Sequence, residues 1–144
     1  MNESVIFKKD NISVGLKGIK ELNTGQFVSV VDPNDFELGE YIGAGASGKV
    51  HLAKYKPSGI AVAIKSINIY DKNKRKQFKN DLKVLSANDC ELLVKFYGAF
   101  FETGNVKLVL EYMDLGSLDK VILKVRESKQ LMPESVLSKI TQEV

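Results

Sequence analysis

Residues Ile42 to Val50, IGAGASGKV, place Gly43, Gly45 and Gly48 at the spacing G-x-G-x-x-G. Glycines so spaced let a backbone turn tightly, so that its own N–H groups can approach phosphate oxygens. The spacing alone is shared by unrelated nucleotide sites, and the flanking residues must separate them. A dinucleotide fold needs a helix to begin at the third glycine, whereas KVHLAKY after Gly48 continues as a strand. The P-loop pattern G-x-x-x-x-G-K-[ST] is met at Gly43, Gly48 and Lys49. Val50, however, stands where a hydroxyl must reach magnesium. Two readings remain: a strand-turn-strand flap over phosphates, and a glycine-rich hairpin without a ligand.

AVAIK, residues Ala61 to Lys65, follows on the next strand. The period of two puts Ala61, Ala63 and Lys65 on one face and Val62 and Ile64 on the other. A small Ala63 beside Lys65 suits a flat ring lying next to a phosphate. A surface lysine at a strand end is the alternative, and the preceding glycine flap weighs against it. Asp81 is the oddity of the helix that follows, because it falls inside the apolar stripe of Phe78, Leu82 and Leu85. A carboxylate there needs a cation or exposure to solvent, since an unpaired buried charge is too costly to keep. Lys65 is the candidate cation, and a solvent-facing Asp at the edge of the stripe is the other reading.

The elements that must position these residues form an α+β unit, a five-stranded antiparallel sheet with one helix. Strands are expected at Phe36 to Ile42 and Val50 to Tyr55, where Val50, Leu52 and Lys54 share a face. A third is expected at Ile60 to Ile67, returned by a turn at KPSG (Lys56 to Gly59). The helix is predicted over Lys74 to Ser86. Its basic run of Lys72, Lys74, Arg75, Lys76 and Lys79 reads as a solvated face, with contact to a phosphorylated loop as the minority view. Two more strands, Leu93 to Phe101 and Val106 to Met113, meet at the hairpin-like ETGN (Glu102 to Asn105). Ser117 can cap a helix through Leu118, Val121, Ile122 and Val125, and Pro133 opens a last one. That helix ends at Val144 with its apolar stripe still running, so a truncated chain is expected. Residues 1–34 read as a loosely packed leader with short β-like runs at Val5 to Phe7 and Phe27 to Val31, 35–113 as the sheet-and-helix domain, and 114–144 as the first helices of an incomplete second lobe.

FYGAFF (Phe96 to Phe101), EYMDLGSLDKV (Glu111 to Val121) and KPSG, in register with the glycine flap and AVAIK, resemble the MAP kinase kinases among eukaryotic-type protein kinases. The likeness runs from about Asp35 to Val144, about three quarters of the chain. It implies an N-terminal kinase lobe with an αC-type helix, ATP as cofactor, and transfer of phosphate to Thr and Tyr in the activation loop of a MAP kinase. It implies a flap made by Ile42, Gly43, Ala44, Gly45, Ala46, Ser47, Gly48, Lys49 and Val50, with Val50 covering the base. Ala63 would leave room for adenine and Lys65 would hold the α- and β-phosphates, with Asp81 holding Lys65. Leu110 is implied as gatekeeper, Glu111 and Met113 as hinge residues whose backbone meets adenine, and Ser117 as a neighbour of the ribose. In the family Asp81's position is normally Glu, one methylene longer. The family also needs an H-R-D Asp, the Asn after it and a D-F-G Asp for Mg2+. None of these motifs lies in these residues, so the Mg2+ ligands are expected in the absent lobe and the chain alone is expected to be inactive. A non-catalytic docking or pseudokinase module is the rival reading.

Composition narrows the partners. The sequence is 44% hydrophobic and 27% charged, as in ordinary globular proteins, and a net charge of +3 is too slight to imply nucleic acid or a membrane surface. Cys90 is the one cysteine, so an intrachain disulfide is impossible and a reducing, cytoplasmic setting is expected. His51 and Cys90 are too few and too far apart for a metal site. The expected partners are a downstream MAP kinase and an upstream activating kinase, and the unfinished last helix predicts self-association. In the leader, Lys8 and Lys9 followed by Ile12 and Val14 resemble a MAP kinase docking peptide, with a stray strand as the blander alternative.

Overall fold

The computed structural model describes residues 5–9, 12–15, 18–21, 27–29, 31–45, 48–87, 93–129, 131 and 133–143. The chain divides into two compact units, Met1–Tyr112 and Met113–Val144.

The first unit contains two antiparallel sheets. The leader, expected to hold only short β-like runs, forms four strands in sequential order: β1 (Val5–Lys9), β2 (Ile12–Gly15), β3 (Gly18–Glu21) and β4 (Phe27–Ser29). Lys8 pairs with Ser13 and Lys9 with Ile12, so Lys8, Lys9, Ile12 and Val14 lie on two antiparallel strands and not along one extended peptide. The second sheet holds β5 (Phe36–Ala44), β6 (Lys49–Tyr55), β7 (Ile60–Asn68), β8 (Phe96–Glu102) and β9 (Asn105–Glu111), in the spatial order β5-β6-β7-β9-β8. The Val31 N–H donates to the Ala99 carbonyl at 3.0 Å, which ties the exit of the leader to the edge strand β8.

Turn chemistry sets the register. β6 returns as β7 through a turn in which Gly59 takes φ +74° and donates its N–H to the Tyr55 carbonyl at 2.8 Å. β8 and β9 meet at a two-residue turn with Thr103 at φ 48° and Gly104 at φ 80°, the signs of a type I′ hairpin. β8 begins at Phe96, later than expected, because Leu93 and Val94 lie outside the ladder and are exposed.

Helix α1 (Lys72–Ala87) begins where Asp71 Oδ1 accepts from the backbone N–H groups of Asn73 and Lys74, at 2.9 and 3.1 Å. Its Phe78 and Leu82 pack with Ile67, Ile69, Ala99, Val106 and Leu108 into one core cluster. Alternation along β7 sends Val62 and Ile64 to the opposite side, where they pack with Ala53, Phe100 and Val109. Lys72 and Lys76 are exposed as a solvated face requires, but Arg75 departs from that reading of the basic run. It is 1% exposed, and its Nη1 donates to the Ile69 carbonyl at 2.6 Å. The helical turn puts Arg75 beside Phe78 on the buried face, three residues apart.

The second unit holds α2 (Leu118–Glu127), with Ser117 at its N-cap, and α3 (Glu134–Glu143). Pro133 precedes α3, its carbonyl accepting from Val136 and Leu137 N–H at 3.0 and 3.2 Å.

Candidate functional site

The sheet register gathers the expected residues on the face of β7 that also carries α1. Val50 pairs with Lys65 and Leu52 with Ala63 across β6–β7, while Lys65 pairs with Leu108 and Ala63 with Leu110 across β7–β9. Directly paired residues share a face, so Val50, Ala63, Lys65 and Leu110 line one surface. Ala63 is buried, while Val50 and Leu110 are half-buried. By the same pairing Leu52 shares the surface, so Ala63 lies between Leu52 and Leu110 and the surface is apolar apart from Lys65.

The flap folds over the lysine. Gly45 N–H donates to the Gly48 carbonyl at 2.8 Å, closing a tight turn between β5 and β6. A Cβ on Gly45 would stand 3.6 Å from Lys65 Cε and 3.7 Å from its Nζ, which places the flap backbone directly against the ammonium group. At Gly48 a Cβ would meet the Ser66 carbonyl oxygen at 1.8 Å, so only glycine lets the flap lie so close to β7. Ile42, Gly43 and Ala44 complete β5, and Lys49 opens β6 with its side chain exposed. Ala46 and Ser47, expected at the tip, lie outside the described residues.

Lys65 Nζ donates to Asp81 Oδ2 at 3.1 Å, and the two side chains are 19% and 21% exposed. Contact is direct, so the shorter acid spans the gap from helix to strand without an intermediary. Asp81 sits between Phe78 and Leu82, and their burial fixes the helix face that turns it toward β7. A half-buried pair of this kind is worth about 1 kcal/mol, more than a surface pair, because solvent screens it less. Its chemical consequence is positional: an ammonium group held under a glycine turn is a fixed cation for a phosphate oxygen.

Sequence reasoning missed Gln77. Its Nε2 donates to the other carboxylate oxygen, Asp81 Oδ1, at 3.0 Å. The signal was present, since residues four apart on a helix are neighbours.

Glu111, expected as a hinge residue, ends β9 beside Lys95. Its N–H donates to the Lys95 carbonyl at 2.9 Å, and its Oε2 accepts from the Lys95 N–H at 3.2 Å. That backbone donor is therefore engaged within the first unit. Met113 and Ser117 belong to the second unit, where the Met113 carbonyl accepts from Gly116 N–H at 3.2 Å. A hydrogen bond from the Ser117 side chain is the main cause that holds the Asp119 carboxyl below its ordinary range. Among the described residues, no three His, Cys, Asp or Glu side chains come together where they could hold a metal ion. No helix among them is long and apolar enough to cross a membrane.

Residues 36–144 match the model of a family described as protein tyrosine and serine/threonine kinase.

Proposed function

The chain belongs to the protein tyrosine and serine/threonine kinase family, and from that premise we propose that it is the ATP-binding part of a MAP kinase kinase-like enzyme. Its substrates would be Thr and Tyr in the activation loop of a MAP kinase. The observation that carries the ATP-site reading is the Lys65–Asp81 pair at 3.1 Å, lying against the backbone of Gly45.

The residues present fit a nucleotide. Bound ATP would supply the phosphoryl group, with Mg2+ held by residues outside the ones gathered here. Ala63, Val50 and Leu110 offer the apolar surface for adenine. Lys65 offers its Nζ to the α- and β-phosphate oxygens, and Asp81 keeps that Nζ from swinging into solvent. The close approach of Gly48 to Ser66 keeps the flap low over the same place.

The finer assignment rests on FYGAFF at Phe96 to Phe101, on EYMDLGSLDKV at Glu111 to Val121, and on KPSG at Lys56 to Gly59. With it come a downstream MAP kinase and an upstream activating kinase as partners, and the cytoplasm as the setting. Because Lys8, Lys9, Ile12 and Val14 are paired across β1 and β2, a docking role for them requires that hairpin to open. The test is incubation of the protein that carries this chain with ATP, Mg2+ and a catalytically dead MAP kinase, followed by mass spectrometry. Phosphate on both Thr and Tyr of the activation loop is the expected result. Phosphate on serine of generic substrates alone overturns the subfamily, and no transfer at all favours a docking or pseudokinase module.

A further inference from the structure

We propose that Gln77 is a positioning residue for the nucleotide site, one that holds Asp81 so that the shorter acid can serve Lys65. The inference rests on the reading of Lys65 and Asp81 as the phosphate-orienting pair. An aspartate has two rotatable bonds and two equivalent oxygens, so a contact at the oxygen that does not face Lys65 narrows the orientations its carboxylate can take about Cβ–Cγ. Here the oxygens are divided. Oδ2 accepts from Lys65 Nζ at 3.1 Å and Oδ1 accepts from Gln77 Nε2 at 3.0 Å, one contact to the strand and one to the helix. The contact at Oδ1 restrains the carboxylate plane with Oδ2 turned to Lys65 on β7.

The geometry of the helix makes the arrangement possible. Gln77 and Asp81 are four residues apart, hence one above the other on one face. Phe78 and Leu82, the next residues along, are fully buried against the sheet, while Gln77 is exposed. Gln77 therefore contributes little to the core, and its role runs through the carboxylate it contacts. A neutral amide is also suited to the place. It supplies a donor without adding a cation that would compete with Lys65 for Asp81.

The test reads Lys65 directly and does not require phosphate transfer. The probe is an acyl-phosphate ester of ATP, which acylates a lysine held beside the phosphates, and peptide mass spectrometry gives the second-order rate at Lys65. Acetic anhydride, which needs no nucleotide site, serves as the control for intrinsic amine reactivity. Gln77→Ala is expected to lower the ATP-probe rate roughly three- to tenfold with the anhydride rate unchanged. In an Asp81→Ala background the same substitution should change the rate by less than about twofold, because the group it acts through is gone. Asp81→Glu, which restores the missing methylene, should recover most of the rate lost in Gln77→Ala. Equal losses from Gln77→Ala with and without the Asp81→Ala change would overturn the proposal by showing a general structural effect. A silent Gln77→Ala beside a damaging Asp81→Ala would overturn it while leaving the Lys65–Asp81 reading intact. If Asp81→Ala itself were silent, that reading would fall and the role of Gln77 with it.

Discussion

Three glycines with one sequence motif stand in three different surroundings, and alanine at each should have a different effect. A Cβ at Gly43 would meet nothing within 4 Å, one at Gly45 would rest in ordinary contact with Lys65, and one at Gly48 would fall 1.8 Å from the backbone oxygen of Ser66. Since a carbon and a carbonyl oxygen approach to about 3.3 Å at closest, Gly48→Ala requires roughly 1.5 Å of movement between flap and β7. Neither partner is a flexible side-chain end. Overpacking of this kind costs about 1–3 kcal/mol, and loss of the turn-closing bond from Gly45 to Gly48 adds about 0.5–1.5 kcal/mol. The sum, about 1.5–4.5 kcal/mol, corresponds to a roughly 10- to 1,600-fold weaker closed flap at about 1.4 kcal/mol per decade. A hairpin tip relieves such strain by lifting, so the lower end is expected for nucleotide affinity, and global stability should change by less than about 1 kcal/mol. Titration with a fluorescent ATP analogue in the presence of Mg2+ should find Gly43→Ala nearly neutral, Gly45→Ala weakened several-fold, and Gly48→Ala weakened roughly 10- to 30-fold. If Gly48→Ala bound within about threefold of Gly43→Ala, the flap would not need its close approach to Ser66, and the reasoning would fail.

Other perturbations separate structure from site. Arg75→Ala removes a buried guanidinium and leaves the Ile69 carbonyl without that donor, so urea unfolding should show a loss of about 2–4 kcal/mol. Gly104→Ala puts a Cβ 3.0 Å from Tyr70 Cε2 at φ +80°, and should destabilise the β8–β9 hairpin by about 1–2 kcal/mol, whereas Thr103→Asn at φ 48° should be neutral or stabilising in thermal melts. Helix α2 buries none of its residues, and Leu123, Val136 and Leu137 are exposed, so sedimentation should show concentration-dependent self-association that Leu123→Glu or Leu137→Glu reduces.

The sheet was legible because β7 divides its residues between two distinct faces and the turns carry their own chemistry. Ala63 and Lys65 against Val62 and Ile64 is a period-two pattern, and a slip of one residue would carry Lys65 to the far face. Gly59 and the Thr103–Gly104 pair fixed where strands reverse, to within a residue or two. The helix was legible from Phe78 and Leu82. Arg75 was not, since a charged residue in a basic run looks like solvated surface until a carbonyl is found to receive it. That carbonyl, on Ile69, belongs to the turn before the helix, and no periodicity describes it. The regular pairing of the leader was hidden for a different reason. Strands of three to five residues are too short for alternation to stand out, and only their mutual register reveals the sheet.

Asp81 breaks the apolar pattern of its helix, and the break is what couples the site to the core. Ile67 and Leu108 flank Lys65 on the sheet, one along β7 and the other across the ladder, while Phe78 and Leu82 flank Asp81 on the helix. All four are fully buried in a single cluster. The ion pair therefore lies at the rim of the contact that holds α1 against β7, half-shielded from water by the same side chains that bring it together. An attraction of about 1 kcal/mol could not hold a helix in place, but each of those buried side chains contributes about 1.5–3 kcal/mol toward doing so. Packing thus decides where Asp81 stands, and the carboxylate decides only where the ammonium group of Lys65 points. A cation aimed by a weak, rim-placed contact can still exchange that contact for a phosphate oxygen without disturbing the core, which is the property a nucleotide site on this surface needs.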